Sequence, residues 1–346
     1  MNESVRSKKV VTFGELLMRL GTKDKQRFVQ ANEFDVMFTG AEANVGASLA
    51  NFGVEAYAVS KVPKHEIGQA CINYLSRYGV NTDCIVRGGD RLGVFYLETG
   101  ASQRPSKVIY DRSHSAIRES TPEEYDWDAI LEGADWFHFS GTAPALGDSV
   151  VGVLKDALAT AKQRGVTVSV DLNYRSKLWS PEEAKQVMTV LMQYVDVCIG
   201  NEEDSKKVFG VNAKDSDVTA GKLVTDSYKA VAEQLVERFG FKYVATTLRE
   251  SLSASVNRWA GLLSDGKHHY VSRKYEIQVV DRVGGGDSFT AGLIYGMLCD
   301  FEPQRTVDFA AAASCLKHSI PGDFNLVSVE EVERLTGGDQ SGRVQR

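Results

Sequence analysis

The sequence predicts an α/β fold, a doubly wound and mostly parallel sheet flanked by helices, with a small β-sheet projecting from it as a lid. Three observations carry this expectation. Short β-branched runs alternate with helix-like segments through most of the 346 residues, and strands separated by helices imply βαβ units. Two segments, about 17–38 and 92–112, break that rhythm by alternating polar with apolar residues. The second reads as a hairpin, GVFYLET and KVIYDR around a turn containing Gly, Ser and Pro.

The elements follow in chain order. Val10 to Phe13 is an apolar run, and Ala43 to Phe52 has helical spacing ending at Gly53. Ala56 to Val59 reads as a strand, and Ile67 to Tyr78 as a helix stopped by Gly79. Trp136 to Phe139, Thr167 to Asp171, Val195 to Ile199 and Tyr243 to Thr246 read as further strands. A helix from Ser149 to Arg164, closed by Gly165, falls among them. The polar stretch Val211 to Tyr228 reads as a surface insertion, and Gly337 to Arg346 as a frayed tail. One domain over residues 1–340, with 341–346 as tail, is expected, and no internal repeat is evident.

Bulk properties narrow the function. With 43% hydrophobic and 25% charged residues, there is material for a sizeable core. A net charge of -6 argues against a nucleic-acid partner, which needs a basic face. No run of eighteen apolar residues suggests a membrane span, and the N-terminus carries no stretch that reads as a signal peptide. The five cysteines, Cys71, Cys84, Cys198, Cys299 and Cys315, are scattered, without a CxxC pair. That suits reduced thiols and a cytoplasmic location. His268 and His269 lack the context of metal ligands.

The most informative stretch is Asp281-Arg-Val-Gly-Gly-Gly-Asp287, which opens a helix of small residues. Consecutive glycines let successive N–H groups point into one concavity, and the positive end of a helix adds to the same anion site. Asp287 stands at that junction. A carboxylate there would oppose phosphate binding alone but suits acceptance of a proton from an attacking hydroxyl. The plain alternative is a glycine turn with Asp287 as an N-cap. Neither a Walker A sequence nor a G-x-G-x-x-G turn after the first strand is present, which counts against P-loop and dinucleotide-binding readings.

This stretch resembles the C-terminal signature of the ribokinase-like (PfkB) carbohydrate kinases. Thr39-Gly-Ala-Glu-Ala-Asn44 through Gly53 resembles the N-terminal signature. The resemblance runs from about Val10 to Leu335. Within the family the chain is most similar to 2-keto-3-deoxygluconate kinases. Phe13-Gly-Glu-Leu-Leu-Met-Arg19, His138-Phe-Ser-Gly141, Asp171-Leu-Asn-Tyr-Arg175 and Lys317-His-Ser-Ile-Pro-Gly-Asp323 carry that similarity.

The resemblance implies ATP-dependent phosphorylation of a sugar acid, with Mg²⁺ and a monovalent cation such as K⁺ as cofactors. It makes Asp287 the catalytic base and Gly284, Gly285 and Gly286 the anion hole. Gly285 stands where the family more often has Ala, a change expected to do little beyond loosening the loop. Arg282 stands where the family often has Thr, beside the nucleotide or monovalent-cation loop.

Arg175 follows a strand end and suits a substrate carboxylate or the transferring phosphate; an ion pair with Asp171 is the alternative. Lid residues Tyr110 and Arg112 match sugar-acid contacts, and a second family tyrosine falls at Phe95 or Tyr96. Gly40 and Asn44 are expected near the ligand, or as a helix cap. Glu15 is expected on a sugar hydroxyl, or paired with Arg19. Asn201 and Asp204 match the motif that organises Mg²⁺ and phosphate through water, so no direct metal ligand is expected. Thr247, Lys317 and Asn325 fall on the nucleotide side. A dimer through paired lids is expected, since an exposed sheet edge seeks a partner. A kinase for another sugar such as fructose, a non-catalytic sensor and a nicotinamide-dependent oxidoreductase are the competing readings.

Overall fold

The computed structural model describes residues 7–201, 203–211, 225–339 and 342, and within them fourteen strands. They are β1 (Lys9–Phe13), β2 (Leu17–Thr22), β3 (Phe34–Thr39), β4 (Glu55–Val62), β5 (Ile85–Arg87), β6 (Gly93–Glu98) and β7 (Lys107–Asp111). The second half supplies β8 (Trp136–Ser140), β9 (Thr167–Asp171), β10 (Val197–Gly200), β11 (Tyr243–Ser251), β12 (Val256–Ser264), β13 (His269–Val271) and β14 (Tyr275–Gln278). The large sheet runs β13-β12-β11-β10-β9-β8-β1-β4-β5, with β14 pairing β12. From β11 to β5 every pairing is parallel, as the alternation predicts.

Both faces of this sheet are covered, so its strands read as unbroken apolar runs rather than alternating ones. Successive side chains enter different cores. Val11 and Phe13 join one layer with Phe137, Phe139 and helix Asp148–Gln163. Val10 and Trp136 join the other with the helices Gly285–Leu298 and Pro303–Lys317. The chain leaves β1 for β4 on one side and later fills β8 to β11 on the other. The order therefore reverses beside β1, where ligands of doubly wound sheets gather.

The lid is a separate four-stranded sheet, β3-β2-β6-β7, in which β2 and β6 are parallel and the outer pairs antiparallel. Its inner face buries Leu17, Phe95 and Leu97. Its outer face leaves Val36 and Ile109 56% and 53% exposed.

The alternation of strand and helix holds through most of the chain, as expected, and ends at β11, after which β12, β13 and β14 form an antiparallel edge without intervening helices. One expectation is corrected. The expected insertion, Val211 to Tyr228, ends too late. Tyr228 is buried within helix Thr225–Phe239, while residues 212–224 lie outside those described. Of the expected tail, residues 340–341 and 343–346 also lie outside them.

The small residues of helix Gly285–Leu298 have a packing reason. A Cβ on Gly292 would fall 2.6 Å from Cα of Ala310, and one on Gly296 2.9 Å from Thr306 Cγ2. Only hydrogen at these positions lets the two helices approach so closely. Gly292→Val should therefore destabilise the fold by about 2–3 kcal/mol, as overpacking of a dense core does. Urea unfolding checks this, and an unchanged midpoint would contradict the close contact.

Candidate active site

Strand ends of the parallel sheet converge on one cleft of about 390 Å³. Glu15 follows β1, Thr142 follows β8, Asp171 ends β9, Asn201 follows β10 and Thr247 lies in β11. The lid forms one wall through Phe95, Tyr110 and Arg112, and Gly284 to Asp287 form another. Thus strands widely separated in sequence bring most of the expected residues together. Lys317 and Asn325 are the exceptions. Lys317 has no exposed surface, and Asn325 donates to Ser48 Oγ at 3.0 Å within the core.

The three glycines differ in what they do. Gly284 has φ 82°, and a Cβ there would sit 1.9 Å from the carbonyl oxygen of Asp323. Both conformation and space require glycine. At Gly285 a Cβ would meet Cε1 of His318 at 2.4 Å. Alanine, which the family more often has at this position, would here need His318 to move. That imidazole donates from Nδ1 to the Ser314 carbonyl at 2.6 Å, and burial pushes its pKa down to about 4, leaving it neutral. Around Gly286 nothing lies within 4 Å of the Cβ position, so its openness faces the cleft rather than the core.

Asp287 is in the first turn of helix Gly285–Leu298, whose N-cap, Gly284, has no side chain to satisfy the first amides. Burial pushes its pKa up to about 6, against the opposing hydrogen bond from Asn44. Asn44 Nδ2 donates to Asp287 Oδ2 at 2.6 Å, while its Oδ1 accepts from Thr39 Oγ1 at 2.8 Å. Thr39 is in turn 2.7 Å from Asp323 Oδ2. Asn44 is therefore an orienting partner of Asp287, not a cap. Gly40 lines the cleft, but its lack of a side chain has a local cause, since a Cβ would lie 2.3 Å from the Glu15 carbonyl oxygen.

Beneath the glycine loop lies a buried charge cluster that sequence reasoning missed. Arg19 Nη2 pairs with Asp281 Oδ2 at 2.6 Å, and Nη1 pairs with Asp323 Oδ1. The expected pairing of Glu15 with Arg19 is thereby corrected. Glu15 pairs instead with Arg112 and accepts from Ser115 Oγ at 2.5 Å. The guanidinium of Arg112 lies 5.3 Å from the Tyr110 ring centroid. Phe95, not Tyr96, faces the cleft, while Tyr96 packs on Phe34 across the lid's other face.

On the opposite wall, Arg175 lines the cleft and forms no ion pair with Asp171 among the described residues. Asp171 and Asp204 are both pushed up by burial; the Asp171 carboxyl is raised further by the charges of Asp204 and Asp287. Asp204 accepts from the amides of Tyr174 at 3.2 Å and Asn201 at 3.0 Å, and Asn201 Oδ1 accepts from the Glu203 amide at 2.8 Å. Among the described residues no three His, Cys, Asp or Glu are grouped to ligate a metal directly. Arg249 and Arg282 also line the cleft. His268 and His269 are held by Asp265 and Glu233 at 3.0 Å, away from it.

The cleft combines a helix N-terminus, a carboxylate beside it and guanidinium groups on two walls. Comparison with known proteins agrees with that chemistry. A solved structure of a 2-dehydro-3-deoxygluconokinase from Thermotoga maritima is 51% identical, with 96% of this chain and 100% of that chain covered at a TM-score of 0.92. A 2-dehydro-3-deoxygalactonokinase from Haloferax volcanii is 32% identical over 335 residues, 96% of this chain and 98% of that protein. A 2-dehydro-3-deoxygluconokinase from Bacillus subtilis is 26% identical over 93% of each. The model of the pfkB family carbohydrate kinases matches residues 7–325, from the start of the sheet to beyond the glycine loop, and the chain belongs to that family.

Proposed function

We propose that this carbohydrate kinase transfers the γ-phosphoryl group of ATP to a hydroxyl of 2-keto-3-deoxygluconate. The observation that carries the reading is the meeting of Asp287, the open side of Gly286 and the guanidinium groups of Arg112 and Arg175 in one cleft. The arginines suit the substrate carboxylate or the moving phosphoryl group. Glu15, already binding Arg112, would fix that arginine and accept from a sugar hydroxyl. The aromatic faces of Phe95 and Tyr110 would cover the sugar. The Haloferax relative supports a second reading, 2-keto-3-deoxygalactonate, which differs only in the configuration of one carbinol carbon.

In the transfer, the sugar oxygen forms a bond to the γ-phosphorus as the bond from that phosphorus to the β–γ bridging oxygen breaks. The hydroxyl proton passes to Asp287, and ADP leaves. A carboxylate is a weak base, but a loose phosphoryl-transfer transition state needs orientation and late proton acceptance rather than a preformed alkoxide. The amides of Gly284 to Asp287 would hold the developing charge. Asn201, Asp204 and Asp171 would hold a Mg²⁺ ion, which would supply further charge neutralisation. Thr247, Arg249 and Arg282 stand where the nucleotide would lie.

The pH dependence has a defined sign. The folded pKa of Asp287, about 6, lies above its ordinary value of 3.8, and only the ionised form accepts the proton. For the ligand-free enzyme, kcat/KM should therefore rise through about pH 6 and level off above it. Asn44→Ala, which removes a bond favouring the carboxylate, should move that limb upward. Asp287→Asn should lower kcat by about 10²–10⁴-fold with little change in thermal stability. Unchanged turnover in Asp287→Asn would overturn the base assignment. In the same ATP-coupled assay, 2-keto-3-deoxygluconate should be turned over far better than fructose; preference for the neutral ketose would reject the substrate.

The lid's outer face supports self-association, because Val36 and Ile109 stand exposed on the same side of a sheet with free edges. We place a dimer there. Sedimentation at micromolar concentration should show it, and Val36→Asp with Ile109→Asp should give monomers; a monomeric parent protein would contradict the pairing. A cytoplasmic location is supported by five cysteines that form no disulfide. No helix of the described residues is long and apolar enough to cross a membrane.

A further inference from the structure

The last residue of helix Pro303–Lys317 is a lysine with no exposed surface. Its ammonium donates to two main-chain carbonyls, Gly322 at 2.6 Å and Asp281 at 3.3 Å. These carbonyls belong to the two segments that bracket the glycine loop. The lysine stem lies directly beneath that loop, with Cε 3.3 Å from where a Gly284 Cβ would be. Such burial is costly for an ammonium unless fixed charges and dipoles compensate. Burial does lower the pKa of Lys317, but the carboxylates of Asp281 and Asp323 oppose the shift.

Arg19 closes the other side of the cluster on the carboxylates of Asp281 and Asp323. Asp281 in turn accepts from the amides of Val283 at 3.1 Å and Gly322 at 3.2 Å, tying the two segments together. Carbonyl oxygens converging on one fixed positive charge are the makings of a monovalent-cation site, and K⁺ and an alkylammonium carry the same charge. The resemblance to ribokinase-like kinases implies a monovalent cation beside this loop. Here the donor set does not fit a free ion: two of its carbonyls are occupied by Lys317, both nearby carboxylates are paired with Arg19, and the two cationic side chains already balance the two acids.

We propose that the Lys317 ammonium is the built-in monovalent cation of the glycine loop, so that this kinase works without K⁺ or Na⁺. Lys317 is then a positioning residue. It touches neither sugar nor nucleotide, but holds the segments on either side of Gly284 in the geometry that presents their amides. Arg19, carried on lid strand β2, ties the lid to the same cluster. The inference rests on the kinase reading, and on no particular sugar.

The test is steady-state kinetics and thermal melting in KCl, NaCl, NH₄Cl and tetramethylammonium chloride at one ionic strength. The parent enzyme should keep its kcat, its KM for ATP and its Tm in all four salts, within twofold for the kinetic constants. Lys317→Ala, which opens a hole of ammonium size, should raise KM for ATP more than tenfold in tetramethylammonium. K⁺ or NH₄⁺ should restore it saturably and raise Tm. Lys317→Met, neutral but nearly as bulky, should show the defect without the rescue. Activation of the parent enzyme more than fivefold by K⁺ would overturn the proposal, as would a folded Lys317→Ala that no cation restores. Should both variants fail to fold, the parent enzyme in the four salts still decides. Failure to phosphorylate any sugar in any salt would instead remove the kinase reading itself.

Discussion

Asp287 stands where it does because helix Gly285–Leu298 can lie almost against the backbone of helix Pro303–Lys317. Gly292 and Gly296 make that approach possible, with Ala310 and Thr306 on the facing surface. The contact sets the depth to which the helix N-terminus enters the cleft. Everything at that end follows from it: the left-handed turn at Gly284, the open side of Gly286, and the reach of Asn44 to the carboxylate. A larger residue at the contact would displace the Asp287 carboxylate and the first amides of the helix together.

Charge is arranged in two layers around this helix end. The cleft itself has carboxylates raised by burial, Asp171, Asp204 and Asp287, together with the guanidinium groups of Arg112, Arg175 and Arg282. Such a set is poised for a polyanion arriving with a divalent cation. Below the glycine loop the layer is internally balanced, with Arg19 and Lys317 against Asp281 and Asp323. In the proposed reaction the upper layer meets the ligand, while the lower one braces the loop. The hydrogen bonds from Asp323 through Thr39 and Asn44 to Asp287 join the two.

Much of this was legible in the sequence, for physical reasons. Buried parallel strands are continuous apolar runs, so β8, β9 and β10 stood out. The lid stood out because it alternates polar with apolar residues. The glycine run before a small-residue helix has few structural explanations, and it marked one wall of the cleft directly. Contacts that span the chain were not legible. Arg19 and Asp323 are 304 residues apart, and each looks locally like an ordinary surface charge. Pairing Glu15 with Arg19, four residues away on an adjoining strand, was the local choice. The fold instead delivers Arg112 to Glu15 from the lid hairpin. The role of Gly285 was hidden in the same way, because its constraint is the ring of His318. The edge strands β12 to β14 escaped notice because no helix alternates with them.

The central claim is that the glycine amides grip a terminal phosphoryl group while Asp287 faces the incoming alcohol. A crystal structure with MgADP, aluminium fluoride and 2-keto-3-deoxygluconate tests it most directly. The account predicts the fluoroaluminate within hydrogen-bonding distance of the amides of Gly284 to Asp287, with the Asp287 carboxylate on the sugar hydroxyl in line with it. A carboxylate turned away from the hydroxyl, or a fluoroaluminate held away from the loop, would contradict it.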